Sequence, residues 1–286
     1  MALNLKTFTT RTLTAAVFVS VLLTCVFFNY TSFSALFLVV SIWGLYEFYQ
    51  LSEKLGAKPY KTIGLITGTF IFCQAILINS EYSTSINSSD VMAICISLFF
   101  LVFVFALFDK KPKTVLNLVY TIAGIVYAVI PFILLLHIAC FNDGINLTPT
   151  PHYNFHYVLG IILLIWVSDV GAYMIGSLIG KHKLFERISP GKTWEGSIGA
   201  TLLTVGCSYI ISIWYPELAL KHWIVISILV SVFGTLGDLI ESMLKRQAGV
   251  KDSGKIMPGH GGILDRFDSL IFVSPFVYSY LELFVK

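Results

Sequence analysis

Apolar residues run through most of the chain in long stretches that short polar segments separate. Nine of these stretches are about as long as an α-helix must be to cross a bilayer, which is roughly 17–25 residues. We therefore predict an all-α, polytopic membrane protein with about nine transmembrane helices. Their approximate limits are 12–28, 31–51, 62–80, 91–108, 115–140, 157–179, 196–215, 222–240 and 270–285.

The composition supports the membrane class. Hydrophobic residues make up 56% of the 286 residues and charged residues only 12%, whereas about a quarter of a soluble domain is charged. The five cysteines are scattered along apolar stretches and form no Cys-x-x-Cys pair. A disulfide framework and a zinc site are therefore not expected.

The basic residues predict the orientation of the helices. With nine spans, 17 of the 19 lysines and arginines fall on one side, and only Lys221 and Lys286 fall on the other. Because basic loops stay in the cytoplasm, we expect that side to be cytoplasmic. The region 1–156 shows spans but no recognisable site, and the polar motifs lie in the region 157–286, which we predict to be the catalytic one.

The first polar motif places Asp169 inside a predicted span. A carboxylate at membrane depth costs about 2.5–3.5 kcal/mol on insertion scales, so it should face a cavity or a partner. The alternative is a residue that only assists helix packing beside the small Gly171 and Ala172.

The second motif contains Ser189, Lys192 and Thr193, just before the seventh predicted span. Hydroxyls, an ammonium and the free N–H groups of a helix N-terminus suit an anion such as phosphate. The Gly-Lys-Thr sequence lacks the spacing of a nucleotide-binding P-loop, so we exclude that class. A basic loop that only fixes topology remains the alternative for its flanking lysines.

The third motif is the densest. Four polar residues occupy positions i, i+3, i+4 and i+7 at the end of the eighth predicted helix, and so share one face: Asp238, Glu241, Ser242 and Lys245. Asp265 and Asp268 are likewise one turn apart if a helix begins near Gly262. Carboxylates next to basic residues suit a hard cation together with a polyphosphate.

The region around this third motif has a specific pattern. It reads Ser242-x-x-Lys245-Arg246-x4-Lys251-Asp252-x-Gly254-x3-Pro258-x-His260-Gly261-Gly262-x-x-Asp265-Arg266-x-Asp268. This pattern resembles the hallmark of the phosphatidate cytidylyltransferase (CDP-diacylglycerol synthase) family, with no departure from it. The first two motifs resemble other motifs of that family in the expected order, so the resemblance covers about 100 residues.

The resemblance implies a reaction in which phosphatidic acid attacks CTP to form CDP-diacylglycerol and pyrophosphate. It implies that Asp238, Asp265 and Asp268 hold Mg²⁺, with a second cation such as K⁺ beside it. It also implies a bacterial inner membrane as the location, with the active site facing the cytoplasm. The expected partners are CTP, phosphatidic acid, membrane lipid and a second copy in a homodimer, but no nucleic acid.

Other residues receive less specific roles. We expect Lys245, Arg246 and Arg266 to contact phosphate, while His260 either binds a phosphate or orders its glycine-rich loop. Residues expected to bind substrate are Ser189, Lys192, Thr193, Ser242, Lys251, Gly261, Gly262 and Asp169.

Two rival functions deserve comparison. A transporter would place polar groups near the midplane and often shows a repeated half, whereas the charged motifs here gather on one side. A related enzyme that uses CTP on a polyprenol or an archaeal lipid is the nearest chemical alternative, and the identity of the lipid acceptor would distinguish it.

Overall fold

Helices form nearly the whole of the structure, a computed structural model that describes residues 5–79, 88–110, 113–141, 153–257, 259 and 261–285. Within these ranges the helices are α1 Leu5–Phe28, α2 Tyr30–Lys54, α3 Lys61–Ile78, α4 Ser88–Leu107, α5 Thr114–Ala128, α6 Ile130–Ala139, α7 Phe155–Ile179, α8 Trp194–Trp214, α9 Leu220–Gln247 and α10 Leu264–Phe284. The two strands are β1 Lys183–Phe185 and β2 Ser189–Thr193.

The all-α membrane class is confirmed. Seven helical segments of the described chain are long and apolar enough to span a bilayer. Two more apolar segments, Thr12–Phe28 and Ala93–Leu107, are shorter. The count of nine spans therefore stays a prediction, although each predicted span overlaps one of these segments.

The fifth predicted span, 115–140, is interrupted. It consists of α5 and α6, which meet at Val129, with Pro131 in the first turn of α6. Proline has no N–H to donate to the carbonyl of Tyr127, and its ring crowds that carbonyl, so it interrupts the helical hydrogen bonding.

The segment between α7 and α8, expected to be a loop, contains a small antiparallel hairpin. Strands β1 and β2 pair Phe185 with Ser189. The carboxylate of Glu195, in the first turn of α8, accepts hydrogen bonds from the backbone N–H groups of Lys181 (3.1 Å) and His182 (3.2 Å). The hairpin is thus fixed to the start of α8 and is not a free loop.

One hydrophobic core joins the regions 1–156 and 157–286. Phe37 of α2, Phe132 of α6 and Phe267 of α10 form a triad of aromatic rings whose centroids lie 5.6–6.0 Å apart. The N-terminal helices therefore pack directly on α10, the helix that carries the last acidic motif.

Helices α9 and α10 lie in close contact at Gly237. A Cβ at this position would lie 2.6 Å from the backbone oxygen of Asp268, which is closer than any real contact. One turn earlier, Ser269 Oγ donates a hydrogen bond to the carbonyl of Gly234 at 3.3 Å. The small residues of α9 thus allow Asp238 to lie opposite Asp268.

We expect Gly237→Ala to force α9 away from α10. Overpacking of this kind costs about 1–3 kcal/mol, so both the Tm in detergent and the turnover should fall. Gly234→Ala is the matched control, because its Cβ would meet Ser269 at an ordinary 3.6 Å. Equal effects of the two substitutions would contradict the close approach at Gly237.

Candidate active site

A cavity of about 720 Å³ opens among α1, α7, β2, α9 and α10. One part of its wall is apolar and includes Ala15, Phe18, Val19, Leu22, Ile162 and Ile165. Another part is polar and includes Asp169, Ser189, Lys192, Asp238, Asp265, Arg266 and Asp268. The cavity thus offers an apolar wall and a charged one to the same ligand.

Three carboxylates form a cluster, and two of them, those of Asp238 and Asp268, line the charged wall. One oxygen from each of Asp238, Glu241 and Asp268 lies within 4.8 Å of the others. Asp238 and Glu241 are one turn apart on α9, and Asp268 faces them from the start of α10. Three oxygens at this spacing are a suitable ligand set for a hard divalent cation.

Glu241 strengthens the case for a cation. Its side chain is almost fully buried, and its Oε1 accepts no hydrogen bond from the described part of the chain. Lys245 Nζ does form an ion pair with Oε2. Buried carboxylate oxygens normally have hydrogen-bond donors or a metal as partners, so the residues present fit a bound cation.

Asp265, which we expected to be a metal ligand, lies beside this cluster and has partners within the protein. Lys245 Nζ contacts its Oδ1 at 2.6 Å. Its Oδ2 accepts hydrogen bonds from the N–H of Ser253 (2.8 Å), the hydroxyl of Ser253 (2.9 Å) and the N–H of Gly262 (2.7 Å). The structure thus groups Glu241, and not Asp265, with the other two predicted ligands.

The glycines Gly261 and Gly262 shape the turn around Asp265. Gly261 has a φ of +85°, a conformation that glycine adopts without steric strain. A Cβ on Gly261 would lie 2.5 Å from Asp265 Oδ2. These glycines, which we expected at a ligand, lie against a carboxylate of the protein.

The hairpin brings Lys192 to the acidic cluster. Its Nζ lies 2.6 Å from Asp238 Oδ2, so β2 and α9 contribute to one site. Ser189 and Thr193 also line the cavity. Thr193, which is buried, accepts a hydrogen bond from the N–H of Gly196 at 3.2 Å and so caps α8.

The remaining predicted residues differ in their distance from the cavity. Ser242 Oγ donates a hydrogen bond to Asp238 Oδ1 at 3.1 Å, and Arg266 and Asp169 line the cavity. Arg246 and Lys251 are exposed and lie outside the lining that the described residues form. His260 falls outside the described residues.

Acidic side chains outnumber basic ones around the cluster. The acids are Asp169, Asp238, Glu241, Asp265 and Asp268, and the bases are Lys192, Lys245 and Arg266. If all are ionised, the excess is two negative charges. A divalent cation would neutralise that excess.

Sequence reasoning missed two acidic residues. For Glu241, the available signal was its spacing of three residues from Asp238, which puts both carboxylates on one helical face. Glu47, in the second half of α2, is 2% exposed and accepts hydrogen bonds from the N–H groups of Ile263 and Leu264, both at 3.0 Å. A lone acid in an apolar span was the signal that could have found it.

The fold and the cavity define a polytopic helical membrane protein in which clustered carboxylates and basic side chains lie opposite an apolar wall. The comparison with known families is more specific. Residues 9–284 match the model of the cytidylyltransferase family, and the chain belongs to this family.

Its relatives are bacterial. The phosphatidate cytidylyltransferase of Staphylococcus haemolyticus (strain JCSC1435) is 37% identical over 231 residues, which are 79% of this chain and 82% of the relative. The enzyme of the same name from Staphylococcus saprophyticus is 35% identical over 81% of this chain and 85% of its own. That of Bacillus subtilis (strain 168) is 45% identical over 51% of this chain and 54% of its own.

The ion pairs of Lys245 predict a stability effect. Lys245→Met would leave Glu241 and Asp265 without their shared ammonium, and breaking a buried pair typically costs about 3–5 kcal/mol. We therefore expect a clear loss of Tm in detergent. Arg246→Met, a change of the exposed neighbour, should leave the Tm nearly unchanged, and a large loss there would contradict this account.

Proposed function

We propose that the chain is a CTP:phosphatidate cytidylyltransferase, which transfers CMP from CTP to phosphatidic acid and forms CDP-diacylglycerol and pyrophosphate. Membership of the cytidylyltransferase family and the names of the relatives support this activity. The structural observation that carries it is the cluster of Asp238, Glu241 and Asp268, in which Asp238 and Asp268 line a cavity whose other wall is apolar.

The two walls suit the two halves of phosphatidic acid. Its acyl chains would lie against the apolar side chains of α1 and α7, such as Phe18, Leu22 and Ile162. Its phosphate would then reach Arg266 and Lys192 at the charged wall. There the acyl chains would exchange lipid neighbours for protein side chains without leaving the membrane layer.

The carboxylate cluster would hold Mg²⁺ through Asp238, Glu241 and Asp268. When bound there, Mg²⁺ would neutralise charge on the CTP phosphates. A second cation such as K⁺ remains a prediction of the resemblance. Asp265 would serve the site by fixing Lys245, which in turn holds one oxygen of Glu241.

The chain's residues would then orient two phosphates for in-line displacement. An oxygen of the lipid phosphate forms a bond to the α-phosphorus of CTP, and the bond from that phosphorus to the oxygen bridging to the β-phosphate breaks. Pyrophosphate leaves with the bonding electrons. The lipid phosphate is itself the nucleophile, so the side chains supply position and charge and form no covalent intermediate.

We also propose that the protein lies in the bacterial inner membrane with this site facing the cytoplasm. The distribution of basic residues supports the orientation, and CTP would arrive from the cytosol. Assembly as a homodimer stays a prediction.

The activity is tested with purified protein, CTP labelled in the α-phosphate and Mg²⁺, with one lipid acceptor at a time. We expect labelled CDP-diacylglycerol with phosphatidic acid and little product with a polyprenol or an unsaturated ether lipid. Faster turnover with either alternative acceptor would assign the chain to that related activity instead.

The metal proposal predicts the effect of Glu241→Gln. The amide keeps the size but removes a charge from the ligand set, so the apparent affinity for Mg²⁺ should fall by more than the roughly 10–100-fold typical of outer-shell losses. Mg²⁺ titrations of turnover measure this, with Glu217→Gln, a partly exposed acid paired with His156, as control. Unchanged Mg²⁺ dependence in Glu241→Gln would remove Glu241 from the ligand set.

A further inference from the structure

We propose that Glu47, on α2 in the N-terminal region, is a positioning residue for the active site. Its carboxylate would hold the start of α10 so that Asp268 and Arg266 face α9 in the correct register. The effect on turnover rests on the proposed function, whereas the effect on Mg²⁺ binding can be measured without it.

The contacts of Glu47 all lead to one segment of the chain. Oε1 accepts a hydrogen bond from the N–H of Ile263 at 3.0 Å. Oε2 accepts one from the N–H of Leu264 at 3.0 Å and lies 3.0 Å from the hydroxyl of Ser253. No lysine, arginine or histidine among the described residues forms an ion pair with it.

These contacts make Glu47 a cap for α10 that is supplied from another helix. The first N–H groups of a helix have no partner within the helix, and the helix dipole makes that end positive. Ile263 and Leu264 stand at this end of α10. The buried carboxylate is stabilised by N–H donors that would otherwise have no partner. Those donors lie 216 and 217 residues away from Glu47 in the sequence.

The segment before α10 is folded closely around this carboxylate. A Cβ at Gly262 would lie 2.5 Å from Glu47 Oε1, and one at Gly254 would collide with the same oxygen. Both glycines therefore leave space that the Glu47 side chain fills. The fit indicates that α2 packs closely against the described residues Ser253, Gly254 and Gly262.

Ser253 connects Glu47 to the acidic cluster. Its hydroxyl lies 3.0 Å from Glu47 Oε2 and 2.9 Å from Asp265 Oδ2. Asp265 in turn contacts Lys245, which forms an ion pair with Glu241. Polar contacts thus run without interruption from α2 to one of the three clustered carboxylates.

Glu47 also affects the position of the Asp268 carboxylate through α10 itself. Asp268 lies four residues after Leu264, one turn of helix, so a change in how α10 begins would move its carboxylate relative to Asp238. The separation within the cluster is at most 4.8 Å, and cation ligands require oxygens at about 2.0–2.6 Å from the ion. Small displacements at the start of α10 would therefore weaken the site.

The test compares Glu47→Gln with wild type. The amide oxygen can still accept a hydrogen bond. The NH₂ group, however, replaces an oxygen that accepts from a backbone N–H, so two donors would face each other there. We expect kcat to fall about 10–100-fold, the range for losing hydrogen bonds to a charged group, with KM for CTP changed far less. Half-saturation by Mg²⁺ should move to higher concentration.

A control and a second variant separate positioning from mere stability. Glu53→Gln makes the same change on the same helix, but Glu53 only pairs with Lys61 at the exposed end, so kcat and Mg²⁺ dependence should stay at the wild-type level. Ser253→Ala removes the hydroxyl between Glu47 and Asp265 and keeps the backbone contacts. For this variant kcat should also fall more than KM for CTP changes, but by a smaller factor. If Glu47→Gln does not fold, Ser253→Ala alone tests the positioning role.

A readout without catalysis distinguishes failure of this inference from failure of the proposed function. We expect Mg²⁺ alone to raise the Tm of the wild-type protein in detergent and to raise that of Glu47→Gln much less. A lower Tm in Glu47→Gln with wild-type kcat per folded molecule and the full Mg²⁺ shift would overturn the proposal and leave Glu47 a structural residue. An inactive wild type that still shows the Mg²⁺ shift would count against the proposed reaction only.

Discussion

Repulsion among carboxylates in an apolar protein is the constraint on which the site depends. Acids of α7, α9 and α10 gather where water is scarce, and unscreened like charges there are expensive. Four acids have compensating partners in the structure: Lys192 pairs with Asp238, Lys245 is shared by Glu241 and Asp265, and backbone N–H groups donate to Asp265 and Glu47. The charge that remains is what a divalent cation would neutralise.

The same constraint explains why distant segments meet. The hairpin supplies Lys192, and the glycines of α9 let α10 approach until Asp238 and Asp268 face each other. Lys245 then ties α9 to the beginning of α10. No single helix could surround a cation with three carboxylates and also balance their charge, so the site needs several helices fixed in one place.

Much of this could be predicted from the sequence. Apolar runs gave the helical membrane class, and helical spacing placed Asp238, Glu241 and Lys245 on one face. The presence of Glu241, and not Asp265, in the cluster with Asp238 and Asp268 could not be predicted. It depends on how the turn at Gly261 and Gly262 surrounds the Asp265 carboxylate. The hairpin was missed because its strands are short, and Glu47 because its partners lie more than 200 residues away.

The apolar wall formed by α1 and α7 has a kinetic consequence. A lipid that keeps its acyl chains against this wall reaches and leaves the protein by diffusing sideways within its leaflet. Its availability is then set by its mole fraction in the bilayer surface and by two-dimensional encounter. The nucleotide arrives from a three-dimensional solution, so dilution of the membrane with inert lipid would affect one substrate and spare the other.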